Sequence, residues 1–275
     1  MRHLLGFAKQ ILGGIMSGSP KMIPVKIPVL QTNLLQGRTA LITGASRGIG
    51  RVIAEAFSAA GARVLIAGRN RKTVDMVAKE LSNKGRTALG VELDITDISS
   101  VGKTLSNLPS FDILVNNAGF IGGDGFGKTL ENDYDLVLNT NLKGSYFLSQ
   151  AVSQKWIAEN VKGNILNVCS ASSLRPGNSP YILSKWGLRS LTIGMAKQLI
   201  KHGIVVNGIA PGVTDTDQFT HGTDDIGKAS NPSGRMVTRD EIANMSVILV
   251  SSLCRMVVGD ILYMTGGGGI VTLED

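Results

Sequence analysis

From Gly37 onward the chain alternates short runs rich in Val, Ile and Leu with segments whose apolar residues recur every three or four positions. Seven such runs follow one another: RTALIT, ARVLIAG, TALGVELD, FDILVNN, GNILNVCS, GIVVNGIA and GDILYMT. A strand that is apolar along its whole length is buried on both faces, and helices between successive strands leave those strands parallel. The pattern predicts a single Rossmann-like, doubly wound α/β domain, with a seven-stranded parallel sheet flanked by helices. The 275 residues, 43% of them hydrophobic, suffice for one such core over residues 37–275, preceded by an extension at 1–36. Ligands of such sheets bind beyond the C-terminal ends of the strands. Chemistry is therefore to be sought just after each run.

After the first run comes Thr43-Gly44-Ala45-Ser46-Arg47-Gly48-Ile49-Gly50, three glycines where a strand gives way to a helix. Glycine at a helix start costs backbone entropy, and close approach of a ligand is one compensation. Without Cβ atoms, a pyrophosphate can lie against the amides at the positive end of the helix. That helix, about Ile49 to Ala60, carries Val52, Ile53, Ala56 and Phe57 on one stripe. A plain tight turn would also explain a lone match. After the second run stands Gly68-Arg69-Asn70-Arg71, with no acid where a ribose-binding carboxylate would stand. Arg69 and Arg47 are placed to fork onto a 2′-phosphate, which favours NADP(H) over NAD(H); two solvated arginines are the alternative. Asp94, after the third run, stands where the adenine would lie. Asn116, Asn117, Ala118 and Gly119 after the fourth are small and polar, suited to close cofactor approach.

The fifth run ends in Cys169-Ser170, and Tyr181-Ile182-Leu183-Ser184-Lys185 follows. On a helix from about Pro180 to His202, Tyr181 and Lys185 lie one turn apart on one face. An ammonium beside a phenol favours its ionised form, and such a tyrosine exchanges a proton with an alcohol-level oxygen. The spacing alone also fits an ordinary surface pair.

Taken in order, the glycine loop, Asn116-Asn117-Ala118-Gly119, Asn141 in NTNLKG, Ser170, Tyr181 with Lys185, and Pro211-Gly212 resemble the short-chain dehydrogenases/reductases. The resemblance covers residues 37 to about 269, and the joint match is specific although each part is weak. It implies an NAD(P)-dependent enzyme acting on CH–OH or C=O groups, in which hydride passes directly between nicotinamide and substrate. By resemblance, Tyr181 is the general acid/base and Ser170 bonds the same substrate oxygen. Lys185 tunes Tyr181 and holds the nicotinamide ribose, and Asn141 anchors a water joining Lys185 to solvent. Val213 and Thr216 would hold the carboxamide. The Ser170 to Tyr181 spacing is about two residues shorter than in many members, and Ser172 and Ser173 compete for the serine role. Cys169 replaces the first residue of the usual strand-end serine pair. Tyr263-Met264-Thr265-Gly266-Gly267 lacks the family's acid before its paired glycines.

The net charge of +7 comes from scattered Lys and Arg with no basic run interleaved with aromatics, so an anionic small molecule is expected rather than nucleic acid. Two cysteines exclude a disulfide framework, no Cys/His spacing resembles a zinc site, and a reducing, cytoplasmic setting follows. The N-terminal MRHLLGFAKQILGGIM is apolar and basic, yet Lys9 and Gln10 interrupt it, so neither a secretory core nor an integral span is expected. An arm packed on the domain or a neighbour, a disordered tail, and a targeting or membrane-surface segment all remain open. The polar stretch at 214–236 stands where a mobile lid covers substrate, with Phe219, Ile226 and Met236 its sizeable apolar groups and His221 and Asp224 its candidate contacts. A small to medium, polar carbonyl or alcohol is expected. A carrier-linked 3-oxoacyl thioester is the alternative, and a binding protein or sugar-nucleotide epimerase on this fold fits less well. Two helical stretches, about Tyr134 to Glu159 and Pro180 to Lys201, are apolar around more than one side, which predicts a homodimer or homotetramer.

Overall fold

The structure is a computed structural model that describes residues 33–214 and 231–269. Seven parallel strands form one sheet in the order β3-β2-β1-β4-β5-β6-β7. They are β1 Thr39–Thr43, β2 Arg63–Gly68, β3 Ala88–Glu92, β4 Ile113–Asn116, β5 Asn164–Val168, β6 Val205–Pro211 and β7 Ile261–Met264. Each predicted run supplies one strand. The chain winds outward from β1 to β3 and then returns to lay β4 against β1, and the cleft opens at that reversal.

Strand alternation divides the core in two. Ala40 and Ile42 of β1, with Val64 and Ile66 of β2, face α1 (Gly48–Ala59), α2 (Arg71–Asn83) and α7 (Arg239–Val250). Leu41 and Leu65 face α3 (Ile98–Ser106), α5 (Ser145–Ala158) and α6 (Pro180–Leu199) on the other side. With helices on both faces, polar residues have no solvent side to occupy, which is why the strands read as unbroken apolar runs. Trp156 is fully buried in the second layer, donates its indole N–H to the Phe111 carbonyl at 2.8 Å and meets that ring edge-on. Leu35, assigned by the sequence reading to the extension, is fully buried, and its N–H bonds the Ala60 carbonyl at 2.9 Å. Packing thus begins ahead of Gly37.

The stretch expected as one helix from about Tyr134 is three pieces. α4 (Glu131–Leu138) runs into a wider π-helical segment, Asn139–Gly144, and α5 follows. α6 matches its expected span, with Ser179 capping its start, and Gly203 at φ +75° closes the short 3-10 turn that follows it. On these helices Val137, Leu148, Val152, Trp156, Leu188 and Leu199 enter the core. Tyr134, Tyr146, Ile157, Trp186 and Ile193 stay exposed. No helix among the described residues is long and apolar enough to cross a membrane. Residues 1–32 of the expected 1–36 extension and residues 215–230 of the expected lid lie outside the described residues.

Candidate active site

A cleft of about 490 Å³ lies beyond the C-terminal ends of the central strands. The end beside β1 and β2 is made mostly of main chain. Gly44 (φ +63°) and Gly48 (φ +58°) take left-handed conformations that other residues resist. A Cβ on Gly44 would stand 2.8 Å from the Ala118 Cα, and one on Gly50 would collide with the Asn117 amide and lie 2.7 Å from the Gly44 carbonyl. The Thr43 hydroxyl ties β1 to β4, donating to the Val115 carbonyl and accepting from Asn117 N and Ala118 N, each at 3.1 Å. Asn117 Nδ2 donates to the carbonyls of Thr43 (2.9 Å) and Gly44 (3.2 Å). α1 then starts at Gly48 with no side-chain cap, so its first amides face the cleft without a side-chain partner. The helix start is built for an anion.

Arg47 and Arg69 both line this end, whereas Arg71 is paired with Asp75 at 2.6 Å one turn along α2. Asp94 Oδ1 accepts from Thr96 N (2.9 Å) and Thr96 Oγ1 (2.7 Å), which fixes the carboxylate at the cleft edge.

The other end is made of side chains held by buried hydrogen bonds. Tyr181 and Lys185 project from the first turns of α6, with the Lys185 Nζ 5.8 Å from the centre of the Tyr181 ring. Lys185 is buried and donates to the Val168 carbonyl at 2.9 Å, so one of its three N–H bonds is spent on β5 and two remain. Ser170, two residues past the end of β5, caps a 3-10 turn, Ala171–Ser173, by accepting from Ser172 N at 3.1 Å. Ser170 and Ser172 line the cleft; Ser173 is fully buried and does not. Burial pushes the Cys169 thiol up to about 11, against the opposing pull of Lys185, the Thr192 hydroxyl and Arg189. A protonated, buried thiol is a packing group, not a nucleophile.

Of the residues singled out in the sequence, Gly44, Ser46, Arg47, Gly48, Ile49, Arg69, Asp94, Ala118, Gly119, Ser170, Tyr181, Lys185, Pro211, Gly212 and Val213 all line this one cleft. Gly50, Asn116 and Asn141 do not. Gly50 lies beneath the loop. Asn116, the last residue of β4, is buried in the core, its Nδ2 donating to Ser149 Oγ and Asn167 Oδ1, both at 2.8 Å. Asn141 stands in the π-helical segment with both amide hydrogens used: Nδ2 donates to the Phe120 carbonyl and Ser184 Oγ, each at 3.0 Å, while Oδ1 accepts from Phe120 N at 2.7 Å. Thr216 lies outside the described residues. Of the pair Asn116-Asn117 named after the fourth run, Asn117 is the one that lines the cleft; sequence reasoning passed over the apolar wall of Phe120, Ile121 and Leu136, for which no motif exists. No cluster of potential metal ligands occurs among the described residues.

Residues 38–226 match the family model described as short chain dehydrogenase. The chain is 34% identical over 243 residues to a 3-oxoacyl-(acyl-carrier-protein) reductase of Aquifex aeolicus, covering 85% of this chain and 98% of that protein. It is equally 34% identical over 245 residues to a gluconate 5-dehydrogenase of Gluconobacter oxydans, covering 85% and 95%. A crystal structure of a gluconate 5-dehydrogenase from Burkholderia cenocepacia, in complex with NADP and tartrate, superposes with a TM-score of 0.80 at 30% identity, covering 89% of this chain and all of that one. The chain thus belongs to the short-chain dehydrogenase/reductase family, as an oxidoreductase acting on CH–OH and C=O groups.

Proposed function

We propose that this enzyme prefers NADP(H) and interconverts a carbonyl and a secondary alcohol on a small to medium, polar substrate, with Tyr181 as general acid/base. The observation that carries the reading is one cleft with an uncapped, glycine-lined helix start at one end and Tyr181, Lys185 and Ser170 at the other. The residues fit a dinucleotide: Cβ atoms at Gly44 and Gly50 would close the loop on which the diphosphate would lie. Ser46, Gly48 and Ile49 would hold it, Arg47 and Arg69 would take a 2′-phosphate, and Asp94 the adenine. Ala118, Gly119, Pro211, Gly212, Val213 and Thr216 would bound the nicotinamide half, with Gly50 and Asn116 supporting from beneath. Bound there, the nicotinamide supplies or accepts the hydride.

The chain's own residues manage position and proton. Tyr181 gives its hydroxyl proton to the carbonyl oxygen in reduction and takes it back in oxidation. The Ser170 hydroxyl donates to the same oxygen and fixes its direction. Lys185, anchored on Val168, keeps two N–H bonds for the ribose and the tyrosine side. Since both Nδ2 hydrogens of Asn141 are committed to Phe120 and Ser184, a relay water would meet Asn141 as a donor, at its Oδ1 or at its main-chain carbonyl, which also accepts from Ser145 Oγ at 3.1 Å. NADP preference rests on Arg47 and Arg69 at the cleft and on the absence of a carboxylate at Gly68. The NADP named with the Burkholderia enzyme agrees, and NAD(H) is the weaker cofactor. The polar substrate is favoured by residues 214–236 and by the two gluconate-type relatives. A carrier-linked 3-oxoacyl thioester is the second reading, favoured by the Aquifex relative. The exposed Tyr146, Ile157, Trp186 and Ile193 favour a homodimer or homotetramer, and the two free cysteines a cytoplasmic setting. A panel of polar ketones, alcohols and 3-oxoacyl thioesters, assayed with NADPH and NADH, tests the reading. Turnover of none of them, or faster turnover with NADH, counts against it.

A further inference from the structure

One cation in the catalytic half has no carboxylate beside it in the described structure and no part in the chemistry above. Arg189 lies on α6, one turn beyond Lys185 and two beyond Tyr181. Its guanidinium carbon sits 5.3 Å from the centre of the Trp186 ring and 6.0 Å from that of Tyr263 on β7. Its Nη1 donates to the Ser173 carbonyl at 2.9 Å. Tyr263 reaches the same serine, its hydroxyl 3.3 Å from Ser173 Oγ. Ser173 in turn is fastened to Ser170: its Oγ and its N–H both bond the Ser170 carbonyl, at 2.7 and 3.0 Å.

We infer that Arg189 and Tyr263 are positioning residues that lock the Ser170–Ser173 turn to the helix bearing Tyr181, and so set the serine hydroxyl against the tyrosine hydroxyl. The inference rests on the reading of Ser170 and Tyr181 given above. Physical necessity argues for such a brace. Ser170 stands two residues past the end of β5 at Val168, and the ten residues between it and Tyr181 hold one short 3-10 turn before α6 begins at Pro180, so beyond the Lys185–Val168 bond the connecting chain itself does little to fix one hydroxyl relative to the other. The brace supplies a cross-link from three elements: α6 through Arg189, β7 through Tyr263, and the turn through Ser173. Its parts suit rigidity. A planar guanidinium held within cation–π range of two rings loses little further freedom when it forms its hydrogen bond, unlike a lysine ammonium on a free stem. Trp186 is itself tied down, donating its indole N–H to the Arg175 carbonyl at 2.8 Å.

The test uses the full chain and two readouts. Hydrogen exchange reads the brace without any need for turnover: Arg189→Met should deprotect the amides of Ser172 and Ser173 while leaving those of Gly48 to Arg51 unchanged. Turnover reads the consequence. Because displacement of a reacting group by about 1 Å costs up to ~100-fold, Arg189→Met should lower kcat by about 10- to 100-fold. NADPH affinity should stay within about twofold, and the primary deuterium isotope effect with 4-deuterated NADPH should rise as hydride transfer becomes limiting. Arg189→Lys, which keeps a donor and loses the planar stack, should recover part of kcat. Tyr263→Phe, which keeps the stack and loses the hydroxyl, should cost less than Arg189→Met and carries the test should that variant fail to fold. In a Ser170→Ala background the Arg189 change should cost far less, since both act through one hydroxyl. Unchanged exchange at Ser172 and Ser173 overturns the brace. Deprotection there with unchanged kcat overturns its catalytic consequence. An unaltered protein with no carbonyl turnover would fail the proposed function instead, with the exchange result still standing.

Discussion

The two ends of the cleft are built from different materials. The nucleotide end uses main chain: left-handed glycines, an uncapped helix start, and Thr43 and Asn117 joining the loop to its neighbour. The catalytic end uses side chains whose positions depend on partners far away in sequence, as Lys185 on Val168 or Asn141 on Phe120. A site made of backbone fails when a Cβ is added. A site made of side chains fails when one atom is removed. The difference also decides which changes should alter binding and which should alter rate.

The sharpest break of that comparison is Tyr181→Phe. Deleting one hydroxyl removes the proposed proton donor, worth about 10²- to 10⁴-fold in turnover, while the proposed nucleotide end keeps all its contacts. Steady-state rates beside fluorescence titration of NADPH check it: rate should collapse with affinity almost unchanged. Lys185→Ala should damage both quantities, because that ammonium faces both ends.

Next comes Arg69→Asp, confined to the nucleotide end. It removes one phosphate partner and adds repulsion, so NADPH binding should weaken by about 10- to 100-fold relative to NADH, with kcat at saturation close to that of the unaltered enzyme. Titration with both cofactors decides it. Tighter binding of NADH by the unaltered protein would remove the basis of the preference. A smaller loss is expected from Gly50→Ala, whose methyl must displace Asn117 and press on the Gly44 carbonyl. Overpacking of this kind costs about 1–3 kcal/mol, read as a lower Tm in the absence of cofactor.

The same division explains what was legible in the sequence. The glycine loop and the Tyr181–Lys185 pair are local patterns, since one turn of backbone suffices to place them, and the seven strands follow from apolar runs that only a doubly covered sheet can bury. Which of Asn116 and Asn117 faces the cleft depends on how β4 ends beside β5, and the sequence reading, which names both, does not separate the one in the core from the one at the cleft. The π-helical segment at Asn139–Gly144 was hidden because its residues read as ordinary helix; only contact with Phe120 and Ser184 shows what Asn141 holds. Arg189 carried no signal at all. Its partners Ser173 and Tyr263 lie 16 residues behind it and 74 ahead, and only the packing of β7 beside β6 and α6 brings them together.

The smallest expected effect tests a helix start of the opposite kind. α7 packs beside α1, yet where α1 begins bare, α7 begins closed: Thr238 Oγ1 accepts from Glu241 N at 3.2 Å, and Glu241 Oε2 accepts from Thr238 N at 2.9 Å. Arg235 completes the closure with two bonds to the Glu241 carboxylate, at 2.8 and 2.7 Å. The Arg235 hydrogen bonds, helped by Thr238 and opposed by partial burial, pull the Glu241 carboxyl down to about 2. Because that value lies below the ordinary glutamate value near 4.5, the unfolded chain binds the proton first as pH falls. The contribution is therefore complete above about pH 5 and lost progressively towards pH 2. Glu241→Gln keeps the shape and removes the charge, so it should cost about 1 kcal/mol at pH 7, a modest figure because Arg235 is partly open to water. The deficit should shrink to nothing at low pH. Thermal unfolding of both proteins at pH 7 and pH 3 measures it, and a deficit that is the same at both values would show that the closure works by shape and not by charge. Cofactor affinity should not move, since the helix start proposed to meet the nucleotide is that of α1, the one left open.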